Sequence, residues 1–149
     1  MNSLESLVRR LGEEAGDTSL ALDAEAGCTL MFDEQTVLEI RPNASGERVI
    51  LSATVCDYRP DHELAVLREL AAANFDALGT GGAVLAANTR DRKVVLQHHE
   101  PLVDLEWPRF SALISSLLDA ADFWRKRLDS LSDGQSLPEV HLPPTAQLA

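Results

Sequence analysis

The residues of this chain that could do chemistry are few. They are His98 and His99, Cys28 and Cys56, the loop Gly79-Thr80-Gly81-Gly82, and the carboxylates Asp23, Asp33, Glu34 and Glu39. The two histidines are neighbours in a strand-like run. On a strand they point to opposite faces and cannot chelate one metal together. The glycine-rich loop follows a helical pattern and precedes a strand pattern, the reverse of the order a phosphate-binding loop needs. Cys28 and Cys56 sit in strand-like runs and read as buried thiols, not as a disulfide. The carboxylates lie near turns, where a solvated face explains them. No H-E-x-x-H, C-x-x-C or G-x-S-x-G occurs. Nothing in the order of residues assembles a nucleophile, a base and an orienting group. The expectation is a protein that is not an enzyme, with no cofactor and no metal. A small-ligand or enzyme domain around His98 or the Gly79 loop is the remote alternative.

The totals agree with a binding role. The chain has 149 residues, which suits one domain, and a formal net charge of −11. Such a charge repels nucleic acid and anionic membrane and leaves basic or mixed-charge polypeptides as the easier partners. No apolar run reaches the ~20 residues needed to span a bilayer. The N-terminus alternates charge with leucine and has no continuous apolar core, so no signal peptide is expected and the cytoplasm is the expected location. Asn43-Ala44-Ser45 then reads as a turn, not a glycosylation site.

These residues need elements to hold them. Leu4, Leu7, Val8 and Leu11 fall on one helix face, with Asn2 or Ser3 as cap and Gly12 and Gly16 marking where the helix weakens and stops. Residues 20–40 read as a three-strand antiparallel meander. Its runs carry Leu20 and Leu22, then Cys28, Leu30 and Phe32, then Leu38 and Ile40. A longer strand follows at 47–57, apolar on both faces, which fits an interior position. A helix capped by Asp61 carries the stripe Leu64, Leu67, Leu70, Ala71, Asn74, Phe75 and Leu78. Strands at 83–88 and 93–99 follow. The last helix spans about 104–131, with Phe110, Leu113, Ile114, Leu117, Ala121, Trp124 and Leu128 on one stripe and Arg125-Lys126-Arg127 near its negative end. Residues 132–149 lose periodicity and read as a flexible tail. The expected fold class is α+β, in the order α-β-β-β-β-α-β-β-α, with a twisted, mostly antiparallel sheet packed with helices.

This pattern resembles the class I type III secretion chaperones, the Tir chaperone (CesT-like) family. The resemblance is carried by Leu4-x-x-Leu7-x-x-x-Leu11 and by Leu22-Asp23 through Gly27-Cys28-x-Leu30-x-Phe32-Asp33. The strand around 49–55, Leu67-x-x-Leu70-x-x-x-Asn74 and Phe123-Trp124 add to it. It covers residues 1–131, the expected single domain. The resemblance implies a cytoplasmic homodimer that binds the N-terminal segment of a secreted effector in extended form and keeps it competent for secretion, without ATP. Secretion-apparatus components are further candidate partners. Some members of the family instead sequester a regulator and couple secretion to transcription. The candidate effector-binding residues are Leu4, Leu7, Val8, Leu11, Leu30, Phe32, Leu38 and Ile40. By matching position, Leu67, Leu70, Ala71, Asn74 and Phe75 would lie at the dimer interface.

Overall fold

The computed structural model describes residues 3–77 and 79–132. The expected tail lies outside them, except for Ser132, which ends the last helix; Asn2 and Leu78 lie outside them too. The chain forms α1 (Ser3–Ala15), β1 (Cys28–Phe32), β2 (Thr36–Pro42), β3 (Arg48–Asp57), α2 (Glu63–Asn74), β4 (Val84–Asn88), β5 (Lys93–Pro101) and α3 (Trp107–Ser132). The five strands make one antiparallel sheet in the order β1-β2-β3-β5-β4. This is the α+β architecture the pattern predicts. The stretch holding Leu20 and Leu22 forms no strand. Its leucines pack against the core while its backbone bends through turns at Asp17 and Asp23. A run of three alternating residues between turn formers is too short to hold a ladder.

Strand alternation puts one sheet face against the helices. Leu38 and Ile40 of β2, Val49, Leu51, Ala53 and Val55 of β3, Leu85 of β4, and Val94 and Leu96 of β5 are buried on it. Against this face lies the α3 stripe, with Phe110, Leu113, Ile114, Leu117, Ala121, Trp124 and Leu128 all buried. β3 is the central strand, as its two apolar faces require. The opposite sheet face holds Val37, Ser52, Thr54, Val95 and Gln97, all half-buried.

As expected, α1 stops before Gly16, whose φ is +77°, but it runs through Gly12 without a break; three other local expectations are corrected. Gly12 is needed for a different reason: a Cβ there would stand 2.5 Å from the Asp17 carbonyl oxygen and 2.8 Å from the Leu20 Cβ. Asp61 does not cap α2. Pro60 opens a 3₁₀ turn over Pro60–His62, and α2 begins at Glu63 with no side-chain cap bond. α3 starts at Trp107, because Asp104 takes a left-handed φ of 57° in the preceding turn. Since α3 reaches Ser132, Arg125-Lys126-Arg127 lie before its last turn, which holds no basic residue. They act sideways instead. Arg127 pairs with Glu69 and so ties α3 to α2, and its guanidinium lies 5.7 Å from the Trp124 ring centre.

Trp124 anchors α3 to the loop after α2, its indole N–H donating to the Gly79 carbonyl at 2.8 Å. Trp124→Phe should keep most of the apolar volume and leave that carbonyl unpaired, at about 1–3 kcal/mol. Trp124→Ala should cost about 3–5 kcal/mol. Urea unfolding followed by circular dichroism measures both.

Candidate functional site

β1 is an edge strand, and its outer side is the first accessible feature of the sheet. β2 covers one edge of β1 through the register Leu30↔Leu38. Among the described residues, no hydrogen bond reaches the outer edge at Thr29, Leu30 or Met31. An unpaired row of backbone donors and acceptors is a template for another strand. Its side chains are also apolar. Leu30 and Phe32 are half-buried against the core, and Met31 is 67% exposed on the open face.

Beyond β1 the chain turns tightly through Asp33 and Glu34, with φ of 52° and 59°. This turn and α3 enclose a cavity. Phe32 and Leu118 supply its apolar lining; Asp33, Asp119, Asp122, Gln35, Thr36 and Arg125 supply its polar one. Arg125 holds the site's shape. β3 bulges between Thr54 and Cys56 where it pairs with β5, and its ladder with β2 ends at Leu38↔Ala53. The Thr54 hydroxyl accepts from the Val37 N–H at 2.8 Å and donates to the Val37 carbonyl at 3.0 Å. Arg125 fills the rest of the gap. Its Nε–H donates to the Val55 carbonyl at 3.1 Å, and its other nitrogens reach Gln35, Asp122 and the Thr36 hydroxyl. One guanidinium thus joins α3, β3 and the β1–β2 turn. By position alone Arg125 fits the negative end of the helix dipole. No local pattern reveals that a helical arginine faces a bulge seventy residues away.

A second accessible surface lies on α2. Val66, Leu70 and Ala73 face the core, while Leu64, Leu67, Ala71 and Phe75 are exposed along the other side. The spacing of 64, 67, 71 and 75 is itself a helical stripe. Val84 of the edge strand β4 is exposed as well, at 55%.

The sequence-derived residues divide accordingly. Leu4, Leu7, Val8, Leu11, Leu38 and Ile40 are all in the buried core, and Leu30 and Phe32 lie at its margin beside the open edge. Of the other set, Leu67, Ala71 and Phe75 are exposed, Leu70 is buried, and the Asn74 side chain is bonded to the backbone of β4. Met31, Leu64 and Val84 belong to these surfaces and were not singled out from sequence as contact residues. A signal existed for Met31, whose strand position alternates with Leu30 and Phe32.

Of the chemistry-bearing groups, His98 and the two cysteines are tied into the fold, while the Thr80 hydroxyl of the glycine-rich loop is buried without a hydrogen-bond partner among the described residues. His98 Nε2 lies 2.7 Å from Glu100 Oε2, and Arg109 donates to both oxygens of that carboxylate at 3.0 and 3.3 Å. Burial pushes Glu100 up, but the hydrogen bonds and charges of Arg109 and His98 outweigh it, and the carboxyl titrates below its ordinary value. Burial pushes the Cys28 thiol up to about 11, with Asp23 adding to the effect. Burial does the same at Cys56, also to about 11, aided by Asp129 and Asp57 and opposed by Arg125. Both are free cysteines, and such thiols are poor nucleophiles at neutral pH. Among the described residues, no cluster of three histidine, cysteine or carboxylate groups could hold a metal, and no helix is long and apolar enough to cross a membrane.

The model of the Tir chaperone protein (CesT) family matches residues 5–125. The chain is 32% identical over 146 residues to the transcriptional anti-antiactivator ExsC of Pseudomonas aeruginosa, covering 89% of this chain and 92% of that protein. Among solved structures it is similar to the chain in the crystal structure of the ExsC-ExsE complex, with a TM-score of 0.71 and 27% identity over 83% of this chain and 91% of that one. The HopA1-SchA chaperone-effector complex shares the fold at a TM-score of 0.65 and 16% identity, over 83% of this chain and 94% of that one. So does the Yersinia pestis type III secretion chaperone SycH in complex with a fragment of YscM2, at 0.61 and 15%, over 79% and 96%.

The Glu100 cluster predicts a pH dependence. Its folded-state titration lies below the ordinary 4.5. The stability it contributes is therefore complete above that value and is lost as pH falls through the lowered one. Glu100→Gln should cost about 1 kcal/mol at pH 7 and flatten the acid limb of the stability profile. Urea midpoints between pH 3 and 7 test this.

Proposed function

This chain belongs to the Tir chaperone protein (CesT) family, and from that premise we propose that it is a type III secretion chaperone. In this reading it binds the N-terminal segment of a secreted protein in extended form and holds it ready for export, without ATP. The observation that carries the reading is the open edge of β1. An extended segment laid along it gains main-chain hydrogen bonds, and its alternate side chains meet Leu30 and Phe32 on one face and Met31 on the other. Leu4, Leu7, Val8, Leu11, Leu38 and Ile40 are buried in the core and act by holding the elements around this edge in place. A segment that is disordered before it docks loses entropy on binding, so the contact must be extensive. The charge of −11 favours a basic or mixed-charge segment.

The working form is a homodimer in the cytoplasm, with residues 1–131 as its domain. The exposed α2 stripe of Leu64, Leu67, Ala71 and Phe75, with Val84 beside it, supports this pairing. Leu70 backs the stripe from within, and Asn74, at the end of α2, joins it to β4.

A second reading has its own support. The relative at 32% identity is a transcriptional anti-antiactivator. On that reading the client is a cytoplasmic regulator, and binding it couples secretion to transcription. Deleting the coding sequence then alters transcription without the loss of one particular effector.

Co-expression with the N-terminal fragments of secreted proteins, followed by light scattering on a sizing column, tests the first reading. A stable complex is expected; a strictly monomeric protein that captures no such fragment would sink it. Met31→Asp should weaken capture roughly tenfold with little change in melting temperature, since the side chain is exposed. The pair Leu67→Asp and Phe75→Asp should yield a folded monomer, read from the same column with circular dichroism alongside.

A further inference from the structure

The sheet has a second edge, β4, which by sequence is as open to unwanted pairing as β1. Its sequence Val84-Leu85-Ala86-Ala87-Asn88 is uncharged and short-chained, and Val84 stands 55% exposed. An uncharged apolar edge of this kind invites strand addition from another chain. β4 carries none of the usual protections of lysine, proline or a bulge.

It carries a different one. The Asn74 carboxamide donates from Nδ2 to the Leu85 carbonyl at 2.7 Å and accepts at Oδ1 from the Leu85 N–H at 2.9 Å. Leu85 stands opposite Leu96 of β5. In an antiparallel ladder, a residue's N–H and C=O both point to the same side. The pair held by Asn74 is therefore the pair that a neighbouring strand would take. A carboxamide sets an N–H donor beside a carbonyl acceptor in one plane, which matches the N–H and C=O that one strand residue presents on one side.

The surroundings hold Asn74 in this position. It is the last residue of α2, and the chain leaves the helix through left-handed Asp76 and Ala77, with φ of 52° and 56°. The Gly79 N–H then returns to the Ala73 carbonyl at 3.0 Å, and a Cβ at Gly79 would meet the Ala73 Cα at 3.0 Å. Two non-glycine residues in the left-handed region persist only where the rest of the fold enforces them. Here the result is that α2 ends with its asparagine against the middle of β4.

We propose that Asn74 is an edge lock, which closes β4 to strand addition by a second copy of this chain or by any extended polypeptide. Two copies then meet through side chains of α2 and not through a continuous sheet. That β1 alone is left open to a client rests on the reading of the previous section; the lock itself does not.

The test uses the full chain without a client. In the wild type, the Leu85 amide should exchange with deuterium as slowly as amides inside the ladder, although it faces outward. If it exchanges as fast as the outer amides of β1, the proposal fails whatever any variant does. In Asn74→Ala, Leu85 exchange should rise about tenfold while the β3 and β5 amides keep their protection. Light scattering should then show species larger than the wild type's at the same concentration. Adding Ala86→Lys to that variant should return the wild-type size by charging the edge while leaving Leu85 exchange fast. A folded Asn74→Ala of unchanged size would reduce Asn74 to an ordinary helix-end contact and overturn the lock. Failure to capture any secreted fragment would count against the client reading alone, because none of these measurements depends on it.

Discussion

The packing of α3 on one face of the sheet is the contact from which the other features follow. Phe110, Leu113, Leu117, Ala121 and Trp124 are almost wholly enclosed against β3 and β5. That single layer supplies most of the large buried side chains and fixes the orientation of the sheet. α1 is too short to persist alone and lies on the same side, burying Leu4, Leu7, Val8 and Leu11. With the helices committed to one face and its flank, and Asn74 of α2 bonded along β4, the outer edge of β1 and part of the second face are left accessible. The accessible apolar surface is what remains after the core is satisfied.

Much of this was legible in the order of residues. The α3 stripe has period 3.6 over five turns, so its buried side could be named residue by residue. β3 is apolar on both faces and is central. The surfaces were harder, for a physical reason. α2 carries apolar residues nearly all round. Leu64, Leu67, Ala71 and Phe75 form as good a stripe as Val66, Leu70 and Ala73, and periodicity alone does not say which one meets the sheet. By spacing Leu70 fits either set, and it faces the core. At α1 and β2 the difficulty is the opposite: Leu7, Leu38 and Ile40 are as apolar as any surface contact residue, yet they lie inside. Hydrophobicity measures the preference for leaving water and is silent on what replaces it.

The polar interior was not legible at all. Arg125 joins residues near positions 35, 55 and 122, and Asn74 reaches Leu85. Both act on backbone groups left over by irregularities, a bulge in one case and an edge in the other. Buried backbone groups must find partners, but which side chain serves them depends on where the chain departs from regularity. Asparagine at the end of a helix and arginine within one are otherwise unremarked.

Gly12 gives the fold a point of inflexibility of another kind. Most interior positions ask for a volume, and neighbours can adjust to a methylene more or less. At Gly12 the space for even one carbon is taken by the Asp17 carbonyl and the Leu20 side chain. One aliphatic residue can therefore replace another across the sheet at modest cost, but any side chain at this glycine must lift the connector from the helix. The path from α1 to β1 runs through a position that no larger residue fits.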